Sequence, residues 1–283
     1  MVSGGGFPAP ERVALNYRHA FHAGNFADLV KHAALLQLLA RMAADPGPLT
    51  IIDTHAGRGL YDLAGPEARK SGEAEAGVAR LMAAKDPPAE FAPLTAAVRK
   101  LNASGAVRRY PGSPWLIAET LRPGDDYLAC ELRPDEHGAL KALMTGRRNV
   151  RTLCADGYDT AVHEAPKAGR LLVLIDPPFE QSDDYRRIVE TIEGVRAPGA
   201  TFLVWLPLKD LETFDAFLRA LPDRTRGLIV EARMRPLTDP MKMNGCALAL
   251  IADLPGLKPA LQAIGDWTTR TLGEGGLAKV YWL

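Results

Sequence analysis

The chain has little cysteine, no net charge and no long hydrophobic run. Its three cysteines, Cys130, Cys154 and Cys246, are scattered over 283 residues with no Cys-x-x-Cys pair. So sparse and odd a set argues against a thiolate zinc site and suits a reducing cytoplasm. Lysine plus arginine and aspartate plus glutamate both number 34. A nucleic-acid partner therefore requires a local basic footprint rather than a basic surface overall. The longest apolar runs, 171–175 and 247–252, fall far short of the roughly 20 residues of a membrane span. The first residues lack the basic and apolar regions of a secretory signal. We therefore expect a cytoplasmic protein without membrane association. Hydrophobic residues at 47% and charged residues at 24% are ordinary globular usage, which excludes wholesale disorder, a coiled coil and a collagen-like chain.

Residues 1–15, with Gly4-Gly5-Gly6 and two prolines, read as a flexible leader. A helix is predicted from the N-cap residue Asn25 to about Ala44, before Asp45-Pro46-Gly47-Pro48 stops it. It is apolar on nearly every side, as in a buried helix. Residues 49–53 read as a strand, followed by a glycine turn. Further strands are predicted at 127–131, 150–155, 171–176 and 201–206, with helices at 135–145, 183–195 and 209–221. Strands alternating with helices predict a parallel α/β sheet. Residues 228–234, 246–252 and 279–283 are strand-like, with a turn signal at Asn244-Gly245. This predicts a hairpin and an antiparallel edge.

Four acids stand at or just beyond predicted strand ends: Asp53, Glu131, Asp156 and Asp176. In an open α/β sheet ligands bind outside those ends, so the four acids are expected to converge on one crevice. An acid in such a place can also simply cap the next helix. The turn Gly57-Arg58-Gly59 lets backbone approach a ligand closely. Asp62 stands where the third glycine of a dinucleotide fingerprint belongs, which disfavours a nicotinamide enzyme. The most specific motif is Asp176-Pro177-Pro178-Phe179 after the apolar run 171–175. Two prolines fix a rigid turn after the acid. Asp176 and the Pro177 carbonyl can accept both N–H bonds of an aryl amine, and Phe179 offers a face for a base.

The segment Asp53-Thr-His-Ala-Gly-Arg-Gly59 resembles the first motif of S-adenosylmethionine-dependent methyltransferases. Asp176-Pro-Pro-Phe179 resembles the motif of those that methylate exocyclic or amide nitrogens. Residues 16–32, Asn-Tyr-Arg-His-Ala-Phe-His-Ala-Gly-Asn-Phe-Ala-Asp-Leu-Val-Lys-His, resemble the start of the bacterial 23S ribosomal RNA adenine-N6 methyltransferase family. Tyr110-Pro-Gly-Ser-Pro114 and Glu131-Leu-Arg-Pro134 match that family in the same order. The resemblance covers residues 16–283. It implies a Rossmann-like class I methyltransferase sheet, mostly parallel with an antiparallel C-terminal edge, acting as a monomer on 23S ribosomal RNA. It implies S-adenosylmethionine as methyl donor, with S-adenosylhomocysteine as product and no metal. Carried over by position, the cofactor contacts fall on His32, His55, Gly57, Ser113, Glu131, Asp156, Gly157 and Asp176. The catalytic residues are Asp176, Pro177 and Phe179, and Tyr17 and Phe179 face the substrate. Close relatives carry tyrosine where Phe179 stands, so stacking survives but any hydroxyl contact is lost.

Alternatives remain for several residues. His32 lies between Leu36 and Leu39 on a helical wheel, where a satisfied core histidine fits equally. His19, His22, His32 and Asp28 fit no standard zinc spacing. Glu131 follows Asp53 far later than the roughly 20 residues of a plain crossover. This implies a small, mainly helical inserted subdomain at about 61–107, either covering the cofactor or binding RNA. Arg69-Lys70, Arg99-Lys100, Arg108-Arg109 and Arg147-Arg148 are the local candidates for phosphate contact. Competing functions are a DNA adenine-N6 or protein glutamine methyltransferase and a noncatalytic RNA-binding protein on the same fold.

Overall fold

A computed structural model of the chain describes residues 18–167, 169–223, 225–236, 243–252 and 254–283. The leader at 1–15 and Tyr17 lie outside the described residues. Helix α1 (Phe26–Ala43) starts where Asn25 accepts the Asp28 N–H in its side-chain oxygen, 3.0 Å away. At its other end Arg122 donates to the carbonyls of Ala43 and Gly47, and Arg170 to those of Met42, Asp45 and Gly47. The carbonyls that a helix end leaves unpaired are thereby satisfied.

The strands that follow are β1 (Leu49–Asp53), β4 (Asp126–Cys130), β5 (Val150–Leu153), β6 (Arg170–Ile175) and β7 (Thr201–Leu208). The chain ends with β8 (Gly227–Arg233), β9 (Gly245–Ile251) and β10 (Leu277–Trp282). They form one eight-stranded sheet in the order β10-β8-β9-β7-β6-β1-β4-β5. Strands β5, β4, β1, β6 and β7 run parallel, while β9 is antiparallel to both β7 and β8, and β10 is antiparallel to β8. The predicted α/β architecture with an antiparallel C-terminal edge is observed. From β1 the chain builds outward to β4 and β5, then returns to the other side of β1 for β6 and β7. That reversal opens a crevice at the carboxyl ends of β1 and β6.

From Leu171 to Ile175 strand β6 is apolar without interruption because both of its faces are covered. Leu172 and Leu174 join the cluster containing Leu29, Leu35 and Ile51 beneath α1. Leu171, Val173 and Ile175 join Ile188 and Phe214 on the opposite face, beneath α8 (Asp184–Gly194) and α9 (Leu211–Ala220). Helix α10 (Lys258–Leu272) packs on α1, β8 and β10, burying Leu261, Ile264, Trp267 and Thr268. Sequence reading did not single it out, although these residues have helical spacing. No helix among the described residues is long and apolar enough to cross a membrane.

The structure corrects the Asn244-Gly245 turn. Gly245 opens β9 and pairs with both Leu208 and Arg233. The Asn244 N–H donates to the Leu208 carbonyl. Glycine is needed there because a Cβ would lie 2.3 Å from the Ala232 oxygen. It marks a close approach of backbones. Strands β8 and β9 do pair antiparallel, through a longer connection that lies partly outside the described residues.

Between β1 and β4 the chain forms a ribbon of β2 (Leu60–Asp62) and β3 (Arg109–Pro111), paired antiparallel. Between these strands lie α2 (Pro66–Ser71), a π-helical turn at Glu75–Ala79, α3 (Arg80–Ala83) and α4 (Ala92–Leu101). Helix α5 (Ser113–Thr120) follows the ribbon. The ribbon strands and α5 were not anticipated. The π-helical turn meets the segment before α1: the Val78 N–H donates to the Gly24 carbonyl at 2.8 Å. A Cβ on Gly77 would lie 2.1 Å from that same oxygen. Backbone cannot yield as a flexible side chain can. Gly77→Ala is therefore expected to destabilise the protein by about 1–3 kcal/mol in urea unfolding, an overpacking cost. In α6 (Pro134–Met144), Gly138→Ala adds a Cβ that meets open space. It should be neutral or stabilising by up to about 1 kcal/mol.

Candidate active site

A cleft of about 1390 Å³ opens at the carboxyl ends of β1, β4, β5, β6 and β7. Glu131, Asp156 and Asp176 line it. Asp53 does not, which corrects the expected convergence of four acids. Its side chain turns beneath the glycine turn and accepts from Ser113 Oγ at 2.7 Å and Tyr127 Oη at 3.1 Å. Burial pushes its carboxyl up to about 6, against the pull of those two donors. Asp53 thus ties α5 and β4 to the end of β1 from within. Ser113 lines the cleft with its hydroxyl directed to Asp53.

Gly57 has φ of +61° and Gly59 of +79°, the left-handed region open to glycine. A Cβ on Gly57 would lie 2.4 Å from Tyr61 Oη. The Gly57 N–H donates to Glu131 Oε2 at 2.9 Å, and the Arg133 N–H to Oε1 at 2.7 Å. Burial raises the Glu131 carboxyl while these two backbone donors oppose the rise. Arg58 grips both oxygens of Glu136 on α6, at 2.8 and 2.9 Å, anchoring the turn.

Asp156 caps α7 (Gly157–Glu164), accepting from the Tyr158 and Asp159 N–H groups. Arg187 on α8 clamps both of its oxygens at 2.9 and 3.0 Å, and lies over the Tyr158 ring. Gly157 sits against β1: a Cβ there would be 1.8 Å from the Thr54 oxygen. His55 meets Thr54 Oγ1 at 2.7 Å and the Tyr158 ring edge-on. Burial pushes its pKa down to about 4.

The turn after β6 places Asp176 at the cleft. Phe179 has φ of +52°, a left-handed conformation that costs a non-glycine residue on the order of 1 kcal/mol. Its ring rests against Tyr185 and Trp205 at centroid distances of 4.8 and 5.8 Å. Such strain held in place by packing marks functional turns.

Lys31, which sequence reading missed, contacts Asp176 Oδ2 at 2.5 Å and Asp28 Oδ1 at 3.0 Å. Its residue is only 5% exposed. Burial would lower the ammonium pKa, but Asp176 and Asp28 hold it well above the usual range. Burial would likewise raise Asp28, yet His19 and Lys31 hold it well below. Asp28 Oδ2 also accepts from the Gly24 N–H at 2.8 Å and faces His19 Nε2 at 3.0 Å. A lysine inside a helix apolar on nearly every side was the signal for this cluster. His32, one position on, is buried with Nδ1 2.8 Å from Tyr110 Oη. Arg187 was missed too, and Tyr110 was noted only within a family motif, because their partners are distant in the chain.

The basic pairs separate. Lys100 and Arg147 both bind Glu119 on α5. Arg69 and Lys70 lie exposed on α2, which packs against the turn His19–Phe21 beside the cleft. Tyr17, the other expected substrate contact, lies outside the described residues.

A family model described as "Ribosomal RNA large subunit methyltransferase D, RlmJ" matches residues 46–283. The chain is 33% identical over 277 residues to the Ribosomal RNA large subunit methyltransferase J of Haemophilus influenzae, covering 95% of this chain and 99% of that one. It is 33% identical over 249 residues to the Escherichia coli protein of the same name, covering 81% and 89%. A crystal structure of a Legionella pneumophila protein superposes with a TM-score of 0.82 at 26% identity, over 92% of this chain and 98% of that one.

The buried histidines make the fold sensitive to acid. Burial pushes the pKa of His32 down to about 3 and that of His55 down to about 4, below the 6.5 usual for an exposed histidine. A depressed group contributes stability that is full above the unfolded value and is lost as pH falls toward the folded one. Each should remove about 1 kcal/mol per pH unit below about pH 6. Asp53 acts in reverse: its contribution is full below 3.8 and is lost as pH rises through about 6, so acidification partly offsets one histidine. Urea unfolding between about pH 7 and about pH 5 should show stability falling with acid, and His55→Gln should flatten the fall. An unchanged slope in that variant would show that His55 takes up its proton in the fold.

Proposed function

The chain belongs to the ribosomal RNA large subunit methyltransferase J family, and from that premise we propose that it transfers a methyl group from S-adenosylmethionine to the exocyclic N6 of an adenine in 23S ribosomal RNA. The observation that carries this reading is Asp176-Pro177-Pro178-Phe179 at the end of β6, sharing one cleft with Glu131 and the Gly57 turn.

The residues fit such a donor. Each Glu131 oxygen takes one backbone N–H, which leaves acceptor capacity for ribose hydroxyls. Gly57 and Gly157 present bare backbone where a side chain would collide. The Arg187 clamp fixes Asp156 at the far end of the cleft for an adenine amino group. His32, His55 and Ser113 complete the lining. When bound, S-adenosylmethionine supplies an electrophilic methyl on sulfur and leaves as S-adenosylhomocysteine.

An aryl amine is a poor nucleophile because its lone pair is delocalised into the ring. Asp176 and the Pro177 carbonyl accept its two N–H bonds and turn the lone pair toward the methyl group, a preorganised electrostatic effect. Phe179 stacks on the base, which has been drawn out of the RNA. As the N–C bond forms, the nitrogen's surplus proton is accepted at Asp176 and passed to solvent. Lys31 holds Asp176 Oδ2, and Asp28 gives it a second carboxylate to rest on when the amine takes over that oxygen. On α2, Arg69 and Lys70 offer phosphate contacts beside the entrance.

Incubation with labelled S-adenosylmethionine and protein-free ribosomal RNA from cells lacking the protein should label one adenine as N6-methyladenine. Label in DNA or protein but not in RNA would overturn the proposal. Asp176→Ala should slow transfer ~10²–10³-fold while retaining S-adenosylhomocysteine binding by calorimetry. Wild-type turnover would remove Asp176 from the mechanism.

Neutralising Arg69 and Lys70 together should weaken RNA binding and lower its salt dependence by up to about two counterions, because each phosphate contact releases about one. Neutralising Arg99 and Lys100 should change the slope less, since Glu119 already pairs Lys100. Equal slopes for both variants would rule out the α2 pair as the RNA contact.

A further inference from the structure

His32 and Tyr110 share a buried polar contact that the methyl transfer itself does not use. They are 1% and 0% exposed, with Nδ1 and Oη 2.8 Å apart and the rings stacked. His32 belongs to α1 and Tyr110 to β3 of the inserted ribbon. A buried phenol hydroxyl needs an acceptor for its single proton. Among the described residues, Tyr110 Oη has one hydrogen-bond partner, His32 Nδ1. The phenol proton therefore points at Nδ1, which must be the bare nitrogen of the ring. The opposite assignment would bury that proton without an acceptor, at the full cost of desolvating a donor.

The ring is neutral: burial pushes its pKa down to about 3, and the neighbouring Lys31 ammonium adds to the effect against Asp28. A neutral ring with a bare Nδ1 carries its proton on Nε2. Nε2 lies 4.0 Å from Asp28 Oδ1, beyond hydrogen-bonding reach. Asp28 is already engaged by His19, Lys31 and the Gly24 N–H. Among the described residues the imidazole thus carries an N–H donor with no acceptor, on a residue that lines the same cleft as Gly57 and Ser113.

We infer that Tyr110 is a positioning residue that locks His32 in its Nε2–H tautomer, so that the ring offers a neutral donor to an acceptor oxygen at the methionine end of the cofactor. The acceptor rests on the functional reading above; the tautomer does not. A neutral donor recognises a carboxylate without adding a second cation beside Lys31.

Nitrogen-15 NMR of the histidine side chains, assigned with His32→Gln, together with calorimetry of S-adenosylhomocysteine, tests the inference. In the wild type His32 should show a pyridine-type Nδ1 and a pyrrole-type Nε2. Tyr110→Phe removes one oxygen and keeps the ring. It should mix the two tautomers and weaken S-adenosylhomocysteine about 5- to 10-fold, the effect of one hydrogen bond. The His55 signals should stay unchanged. A protonated Nδ1 in the wild type would overturn the inference. So would unchanged affinity in the variant, or weaker affinity with the tautomer intact, which would leave Tyr110 a packing role. Failure of the wild type to bind S-adenosylhomocysteine would overturn the functional reading and the proposed acceptor, while the spectrum alone would still decide the tautomer.

Discussion

A buried ammonium between two carboxylates organises this molecule. Removing Lys31 and Asp28 from water costs several kcal/mol per ion unless each finds close, well-aligned partners. The partners come from separate places: Asp28 and Lys31 are one turn apart on α1, and Asp176 directly follows β6. The requirement therefore fixes the height of α1 over the sheet. It also recruits the Gly24 N–H and His19 to Asp28, drawing the segment before α1 down onto the cleft. An apolar replacement could be as stable, because buried ion pairs seldom add net stability. What the ions supply is a carboxylate at a set position on the cleft wall, paired with a lysine that contacts both acids at once.

The cleft depends equally on backbone that carries no side chain. The strand ends bring β1, β4 and β6 close together, and Gly157 and Gly57 allow the loops between them to cross at contact distance. Gly157 lets α7 begin against the Thr54 carbonyl, which puts the cap residue Asp156 within reach of Arg187. Gly57 lets the turn after β1 bend onto Glu131 and donate to it directly. A carboxylate held by backbone donors keeps its geometry. The nearby Arg133 guanidinium adds a coulombic pull that also favours the charged form of Glu131.

How much of this was legible in the sequence depended on the range of each interaction. Strands β1, β4 and β6 were plain because each is a short apolar run buried on both faces and closed by an acid. Asp176-Pro-Pro-Phe179 was plain because proline stiffness and an acid act within four residues. Asp53 was misjudged because the end of a strand does not say which way its last side chain turns. Tyr127 and Ser113 decided that, and both are far from it in the chain. Lys31 was passed over because Asp176 lies 145 positions away. The Asn-Gly pair at 244–245 was taken for a turn because glycine serves loose turns and crowded strands alike. Only the strand partners of Gly245 tell the two apart. Helix α10 had the right apolar spacing but stood beyond the alternating pattern that guided the rest.

The segment between β1 and β4 is wired into the site at several points. Tyr110 bonds His32, Tyr61 stands over Gly57 and meets the His19 ring, and Glu73 bonds both His22 and Asn25. Every one of these contacts reaches either the glycine turn or the stretch from His19 to His32. A lid that merely covered the cleft would touch its rim. This segment instead supplies hydrogen-bond partners to residues inside the cleft and on its N-terminal wall, so its position and the geometry of the cleft are coupled. Glu73, two residues beyond α2, ties the end of that helix to His22 and Asn25. These bonds lead through Asn25 and Asp28 to Lys31. A chain of bonds thus joins the end of α2 to the Lys31–Asp176 pair, built from side chains that sequence proximity does not reveal.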